Sequence, residues 1–144
     1  MPPTVPPPAG VAARVGDVLE VSLHRFLGVE LLDPGDPVAG IWFPVAEPAL
    51  NNVGILHGGV VTALLDVASY LALLPELRPD ENAVTHDLSV SLLRRVSAGS
   101  RVEMTGTVLR RGRSVAFLRA EARVGGDVVA AAQVTKTISW PAAD

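Results

Sequence analysis

The chain has 144 residues, 49% hydrophobic and 19% charged, a composition that suits one compact domain with its own core. It contains no cysteine, which excludes disulfides, thiolate metal sites and cysteine nucleophiles and fits a reducing, cytoplasmic setting. A net charge of −3 with 4% aromatic residues argues against nucleic acid as a partner.

Residues 1–10 hold five of the twelve prolines and suit neither helix nor strand ladder. They predict a disordered arm, taken as far as residue 14, with a single domain over 15–144. The arm lacks the charged start and apolar stretch of a secretory signal. Asp17 is placed to cap a short helix running to Phe26, followed by strands near 28–32 and 38–46. The turn Asp33-Pro34-Gly35-Asp36-Pro37 separates those strands.

Residues 57–74 form the longest apolar stretch, ended by Pro75. As a membrane span it would be marginal in length and would place Asp66 near the bilayer centre, at a cost of about 3 kcal/mol. No second span exists and arginine-rich strands follow, so no membrane is expected as a partner. Apolar residues lie all round this helix, which predicts that the rest of the fold encloses it. Four runs of period two then follow, 83–96, 101–111, 115–124 and 128–139. Turn residues at Ala98-Gly99, Gly112 and Gly125-Gly126-Asp127 give the spacing of a hairpin meander. In the third run Ala116, Leu118, Ala120, Ala122 and Val124 share one face, small enough to close on a helix. Strands gathered round one helix, without βαβ alternation, predict an α+β fold with an antiparallel sheet.

The segment Asn51-Asn52-Val53-Gly54-Ile55-Leu56-His57-Gly58-Gly59, with Asp66 further along the same helix, resembles the hotdog-fold acyl-CoA thioesterases of the phenylacetate-degradation (PaaI-like) type. The run Val84-Thr85-His86-Asp87-Leu88-Ser89-Val90-Ser91-Leu92-Leu93-Arg94-Arg95-Val96 is similar to the strand after the helix in that family, and Leu109 to Ser114 to its basic hairpin. The resemblance covers roughly residues 15–139 and rests on the combination of pieces. It implies a sheet of about five to six strands wrapped round one long apolar helix, and hydrolysis of an acyl-CoA thioester without a cofactor, CoA arriving as part of the substrate. Arg95 departs from the family pattern, which often has proline there, and His86 sits beside the presumed catalytic hydroxyl.

Elementary chemistry agrees with the resemblance. Gly58 and Gly59 at a helix start are expected to leave backbone N–H groups bare where the helix dipole favours negative charge, suited to a developing oxyanion. A carboxylate in an apolar helix is costly without a partner or a task; capping a neighbouring polar group would satisfy Asp66, whereas the resemblance makes it the general base toward water, or else a nucleophile forming an anhydride. The resemblance adds Thr85 as a hydroxyl orienting that water and Asn51 as an amide near the reacting carbonyl. His57 is expected to order the loop through its ring. Each has a plain structural alternative: strand residue, turn residues at Asn51 and Asn52, and a satisfied histidine. Gly58 and Asp66 stand eight helical steps apart, about 12 Å, too far to act on one carbon from one chain. A two-fold dimer joins them, and the resemblance implies a homodimer, often extended to a homotetramer.

Arg94, Arg95, Arg110, Arg111 and Arg113 near strand ends and a hairpin are candidate phosphate ligands, with Arg113 and Gly112 foremost and Gly59 and Arg94 also counted on the CoA side. Surface arginines on strands also simply protect sheet edges. Eleven arginines stand against a single lysine, Lys136, a bias that codon usage explains as well as a ligand does. His24, His57 and His86 fall on separate elements, so no metal is expected. No Walker loop, dinucleotide fingerprint or nucleophile elbow occurs. A hotdog hydratase lacks its Asp/His motif here. A noncatalytic acyl-CoA binding or sensing module is the alternative of a different class, which the joint presence of Asp66 and Thr85 disfavours.

Overall fold

The computed structural model describes residues 10–140. Most of the expected arm, residues 1–9, lies outside the described residues, as do the domain's last four. Val11 to Arg14, which the sequence assigns to the arm, instead open the first helix, α1 (Val11–Leu19). Val11, Val15 and Val18 recur at helical spacing, and the first two are buried in the core, which is why the helix begins so early. Asp17 accordingly lies inside α1, whose N-cap is Gly10. The expected helix from Asp17 to Phe26 is interrupted after Leu19, and α2 (Ser22–Leu27) follows as a separate element.

Strands β1 (Glu30–Leu31) and β2 (Ile41–Pro44) are shorter than the sequence suggests, because a 3₁₀ turn over Pro37–Ala39 takes the residues ahead of β2. The apolar segment forms α3 (Gly58–Leu73), continued by a 3₁₀ turn over Leu74–Glu76. Helix and turn together are long and apolar enough to cross a membrane, with mean hydropathy 1.6. In this fold Leu64, Leu65, Leu71, Leu73 and Leu74 are instead fully buried in the protein core. The remaining strands are β3 (Asn82–Leu92), β4 (Arg101–Arg111), β5 (Val115–Val124) and β6 (Asp127–Ser139).

The sheet is six-stranded and antiparallel, in the order β1-β2-β4-β5-β6-β3. Strands β4, β5 and β6 form the expected meander, but β3 does not join it at β4. It pairs with β6 at the far edge, and residues 93–100 return to the other side of the sheet, held by Leu56 N–H on the Val96 carbonyl at 3.0 Å and Val45 N–H on the Ser100 carbonyl at 2.9 Å. Placing β3 there widens the sheet to cover a helix whose apolar residues occur on every side, the hotdog arrangement of the α+β class.

Two details of the sheet position the site. On β5, Ala116, Leu118, Ala120 and Ala122 are buried against α3 as expected. On β4 the approach is closer still: a Cβ on Gly106 would stand 2.5 Å from the Ala68 carbonyl oxygen, so only glycine lets the helix backbone rest there. The register of β3 slips between Thr85 and Asp87, a bulge at His86. Ala83 and Thr85 face inward before it, Leu88 and Val90 after it, so the bulge reverses the alternation and lets both sets share the inner face.

Candidate active site

The loop into α3 is folded by one side chain. Asn51 Oδ1 accepts hydrogen bonds from the backbone N–H groups of Val53 and Ile55, at 3.0 and 3.1 Å. With its oxygen so used, the amide nitrogen of Asn51 is left with no acceptor among the described residues. His57 is the N-cap of α3, and its Nδ1 accepts from the Gly59 N–H at 2.8 Å. This corrects the expectation that both glycines leave bare donors, since the imidazole takes one of the orphan N–H groups of the helix start. Only the Gly58 N–H stays without an acceptor among the described residues. Through this contact the ring ties the loop residue to the first turn of the helix, and an acceptor at Nδ1 places the ring proton on Nε2.

A cavity opens above Gly58, lined by Asn51, Leu92, Arg94, Arg95 and Val129 among others. A Cβ on Gly58 would stand 2.8 Å from Leu92 Cδ1, so glycine keeps the floor of the cavity low. Arg94 sits 3.5 Å from Asp127, an exposed pair that holds the guanidinium only weakly.

Asp66 lies further along α3 in a second cleft, with His24, Ala63, Tyr70 and Thr85. Its Oδ1 accepts from the Thr85 hydroxyl at 2.5 Å and from Lys136 Nζ at 2.9 Å, and Lys136 Nζ also donates to Thr85 Oγ1 at 2.6 Å. The three side chains form a closed triangle. The Lys136 side chain is only 3% exposed, whereas that of Asp66 is 34% exposed, so the carboxylate opens to the cleft above a buried ammonium. Burial pushes Lys136 below the usual lysine range, and the charge and hydrogen bond of Asp66 oppose that shift.

The sequence alone does not single out Lys136, since codon usage explains one lysine among eleven arginines as well as a ligand does. A signal was present: on β6 the apolar Val134 and Ile138 alternate with it on one face, so the lysine occupies an inward position.

The fold therefore brings Asn51 and Gly58 together with Arg94, places His57 and Gly59 on a neighbouring apolar cleft with Leu23, Leu27 and Pro48, and separately joins Asp66 with Thr85. Within one chain the Gly58 and Asp66 groups do not meet, for their two cavities share no lining residue. Gly112 and Arg113 lie apart from both. Gly112 closes the β4–β5 hairpin through its N–H on the Val115 carbonyl at 2.8 Å. Arg113 lines a polar recess with Glu76, Arg78 and Trp140, beyond the end of α3 and about 24 Å from Gly58 along the helix. Arg111 is engaged by the buried Glu81 and two backbone carbonyls, which removes it from the candidate phosphate ligands.

One long apolar helix enclosed by an antiparallel sheet is the hotdog arrangement shared by thioesterases. The family model described as Thioesterase superfamily matches residues 53–131, and the chain belongs to that superfamily. It is similar to a candidate esterase of Deinococcus radiodurans, 33% identical over 112 residues that cover 76% of this chain and 74% of that protein. Human acyl-coenzyme A thioesterase 13 is 30% identical over 94 residues, covering 64% of this chain and 66% of that one. Among solved structures, a mutant of the phenylacetic acid degradation protein PaaI from Thermus thermophilus superposes with a TM-score of 0.70 at 28% identity, covering 78% and 95% of the two chains.

Proposed function

We propose that the protein hydrolyses acyl-CoA thioesters to a free acid and CoA, at sites that each straddle the interface of a homodimer. The observation that carries this reading is the separation of Gly58 and Asp66 into two cavities on one helix. A two-fold axis beside α3 sets the helix start of one copy against the carboxylate of the other and makes two equivalent sites. The edge strand β3 supports the same arrangement, being eleven residues long with Val84 61% and Leu92 57% exposed, a face suited to a second copy. The name of the human relative supports CoA esters as the substrate class.

In the reaction, Asp66 takes a proton from water while the water oxygen bonds to the thioester carbon. The carbonyl electrons move to its oxygen, which accepts hydrogen bonds from the Gly58 N–H and the Asn51 amide of the partner copy. Collapse of that intermediate breaks the C–S bond, and the leaving thiolate takes the proton from Asp66. Direct attack by Asp66, giving an anhydride that water then opens, uses the same geometry. Arg94 and Arg95 at the rim of the Gly58 cavity suit the phosphates of CoA.

Release of free thiol from a panel of aryl and aliphatic acyl-CoA esters tests the chemistry, with Asp66→Asn expected to abolish most turnover while keeping fold and assembly. A complementation test addresses the shared site. Gly58→Pro removes the Gly58 N–H at a position where helices accept proline, the exposed Leu92 side chain giving way to the ring, and Asp66→Asn removes the base. Each variant alone is expected to be inactive, while mixed dimers regain one working site of two. Mixed dimers without activity would overturn the shared site. A wild type that binds acyl-CoA and turns over none would give place to a binding module.

A further inference from the structure

The Lys136 side chain reaches Asp66 from beneath. In the sheet it stands beside Thr85 on β3 and Ala116 on β5, and the small alanine leaves room for its stem to run along the inner face. Its ammonium lies 5.5 Å from the centre of the Tyr70 ring and is within hydrogen-bonding distance of both Asp66 and Thr85. Burying an ammonium is expensive, and a methionine or leucine would fill an inward position on β6 without that cost.

What an ammonium supplies and an apolar side chain lacks is direction. Lysine Nζ donates and cannot accept, so the Thr85 oxygen must accept from it. The single hydroxyl hydrogen of Thr85 then has one place to go, Asp66 Oδ1. Oδ1 holds two donors, and Oδ2 meets no donor among the described residues. The carboxylate is thereby pinned through one oxygen and presents the other to the cleft.

We propose that Lys136 is a positioning residue for the hydrolysis: its ammonium fixes the Thr85 hydroxyl and Asp66 Oδ1, so that Oδ2 is the atom that takes the proton from water. This rests on the assignment of Asp66 as general base. Lys136 forms the covered floor of the Asp66 cleft and acts through Asp66 and Thr85. The other ionisable groups facing it are few. Asp66 and Tyr70 come from α3, with the Tyr70 hydroxyl donating to Asn82, and His24 comes from α2 with Nδ1 on the Val18 carbonyl. From β3 the facing group is Thr85 and from β5 Ala116, while His86 turns to the exposed face against Thr137.

The role predicts a split that a mere space-filler does not show. Lys136→Met is expected to lower kcat on the order of a hundredfold, as loss of orientation does, and to leave KM within about twofold. Lys136→Arg, which keeps the charge, is expected to recover part of kcat. Wild-type kcat is expected to fall on the alkaline side as the ammonium loses its proton, below the pH at which an ordinary lysine titrates. The arginine variant keeps its kcat over that range because a guanidinium stays charged.

The experiment is steady-state thiol release from acyl-CoA across neutral to alkaline pH, corrected for spontaneous hydrolysis. Wild type, Lys136→Met, Lys136→Arg and Asp66→Asn are compared after circular dichroism and sedimentation establish fold and assembly. Turnover retained in Asp66→Asn would remove the general base and this inference with it. An inactive Asp66→Asn beside a folded Lys136→Met with wild-type kcat would overturn the role of Lys136 alone. A wild-type profile without alkaline loss overturns it too, and needs no variant to fold.

Discussion

The Thr85 hydroxyl donates to Asp66 Oδ1 across 2.5 Å, although the two residues are nineteen positions apart, one on β3 and the other on α3. The bulge at His86 makes the contact compatible with the core, since it turns Thr85 inward without turning Leu88 and Val90 outward. Thr85→Val leaves one side of the carboxylate and the Lys136 ammonium without this partner. It is expected to lower kcat by about 10- to 100-fold, the loss of a hydrogen bond to a charged group. Thr85→Ser keeps the hydroxyl and is expected to stay within a few-fold of wild type. Parallel kinetics on the two variants check this.

The arginines divide by position. Arg94 and Arg95 rim the cavity above Gly58, whereas Arg113 borders a different recess. Replacing Arg94 and Arg95 together by alanine is expected to raise KM for acyl-CoA about tenfold with kcat held, as loss of phosphate contacts does. The same panel run on a thioester that lacks the nucleotide should show no such rise.

Glycines give a matched pair of stability tests. Gly106→Ala forces a methyl group against the Ala68 carbonyl and the Ser69 Cα, backbone atoms that cannot step aside. Overpacking of this kind is expected to cost about 2 kcal/mol and to lower Tm by several degrees. Gly16→Ala sits within α1 with no atom near the new Cβ. It is expected to stabilise by about 0.5–1 kcal/mol through helix propensity. Thermal melts of the two variants check the opposite signs.

Glu81 is buried at 2% exposure and joins three parts of the fold. Its carboxylate accepts from the Arg78 N–H at 2.8 Å and from the Arg111 guanidinium, while its backbone carbonyl accepts from Arg14 of α1. The Arg78 N–H foremost, then the hydrogen bond and charge of Arg111, hold the carboxyl below the ordinary range against the opposing effect of burial. A lowered folded value means that its contribution is complete above the unfolded value and fades as pH falls through the folded one. Glu81→Gln is expected to lower stability at neutral pH by about 1–2 kcal/mol, leaving the partly exposed Arg111 to its two carbonyl partners, and to flatten the acid side of the stability profile. Denaturant titrations at neutral and acid pH check both.

Strands 101–111 and 115–124 were legible because period two and the turn residues between them are properties of neighbours along the chain. The apolar helix was legible for the same reason, whereas the loop from Asn51 to Gly59 stood out through its resemblance to a family motif, and its side-chain contacts prove local. The start of α1 was obscured because prolines ahead of it outweighed a valine stripe that only the core reveals. Pairing of β3 with β6 rather than β4 was not legible, since the alternation in β3 suits any neighbouring strand. Lys136 shows the same divide most sharply: its inward phase could be read, but its partners lie 70 and 51 residues away. Sequence by itself determined most of the local elements, through periodicity and turn geometry, while the chemistry expected of them rested on resemblance to a known family. Tertiary structure alone decided which donors meet Asp66 Oδ1, because those contacts exist only once the sheet has closed on the helix.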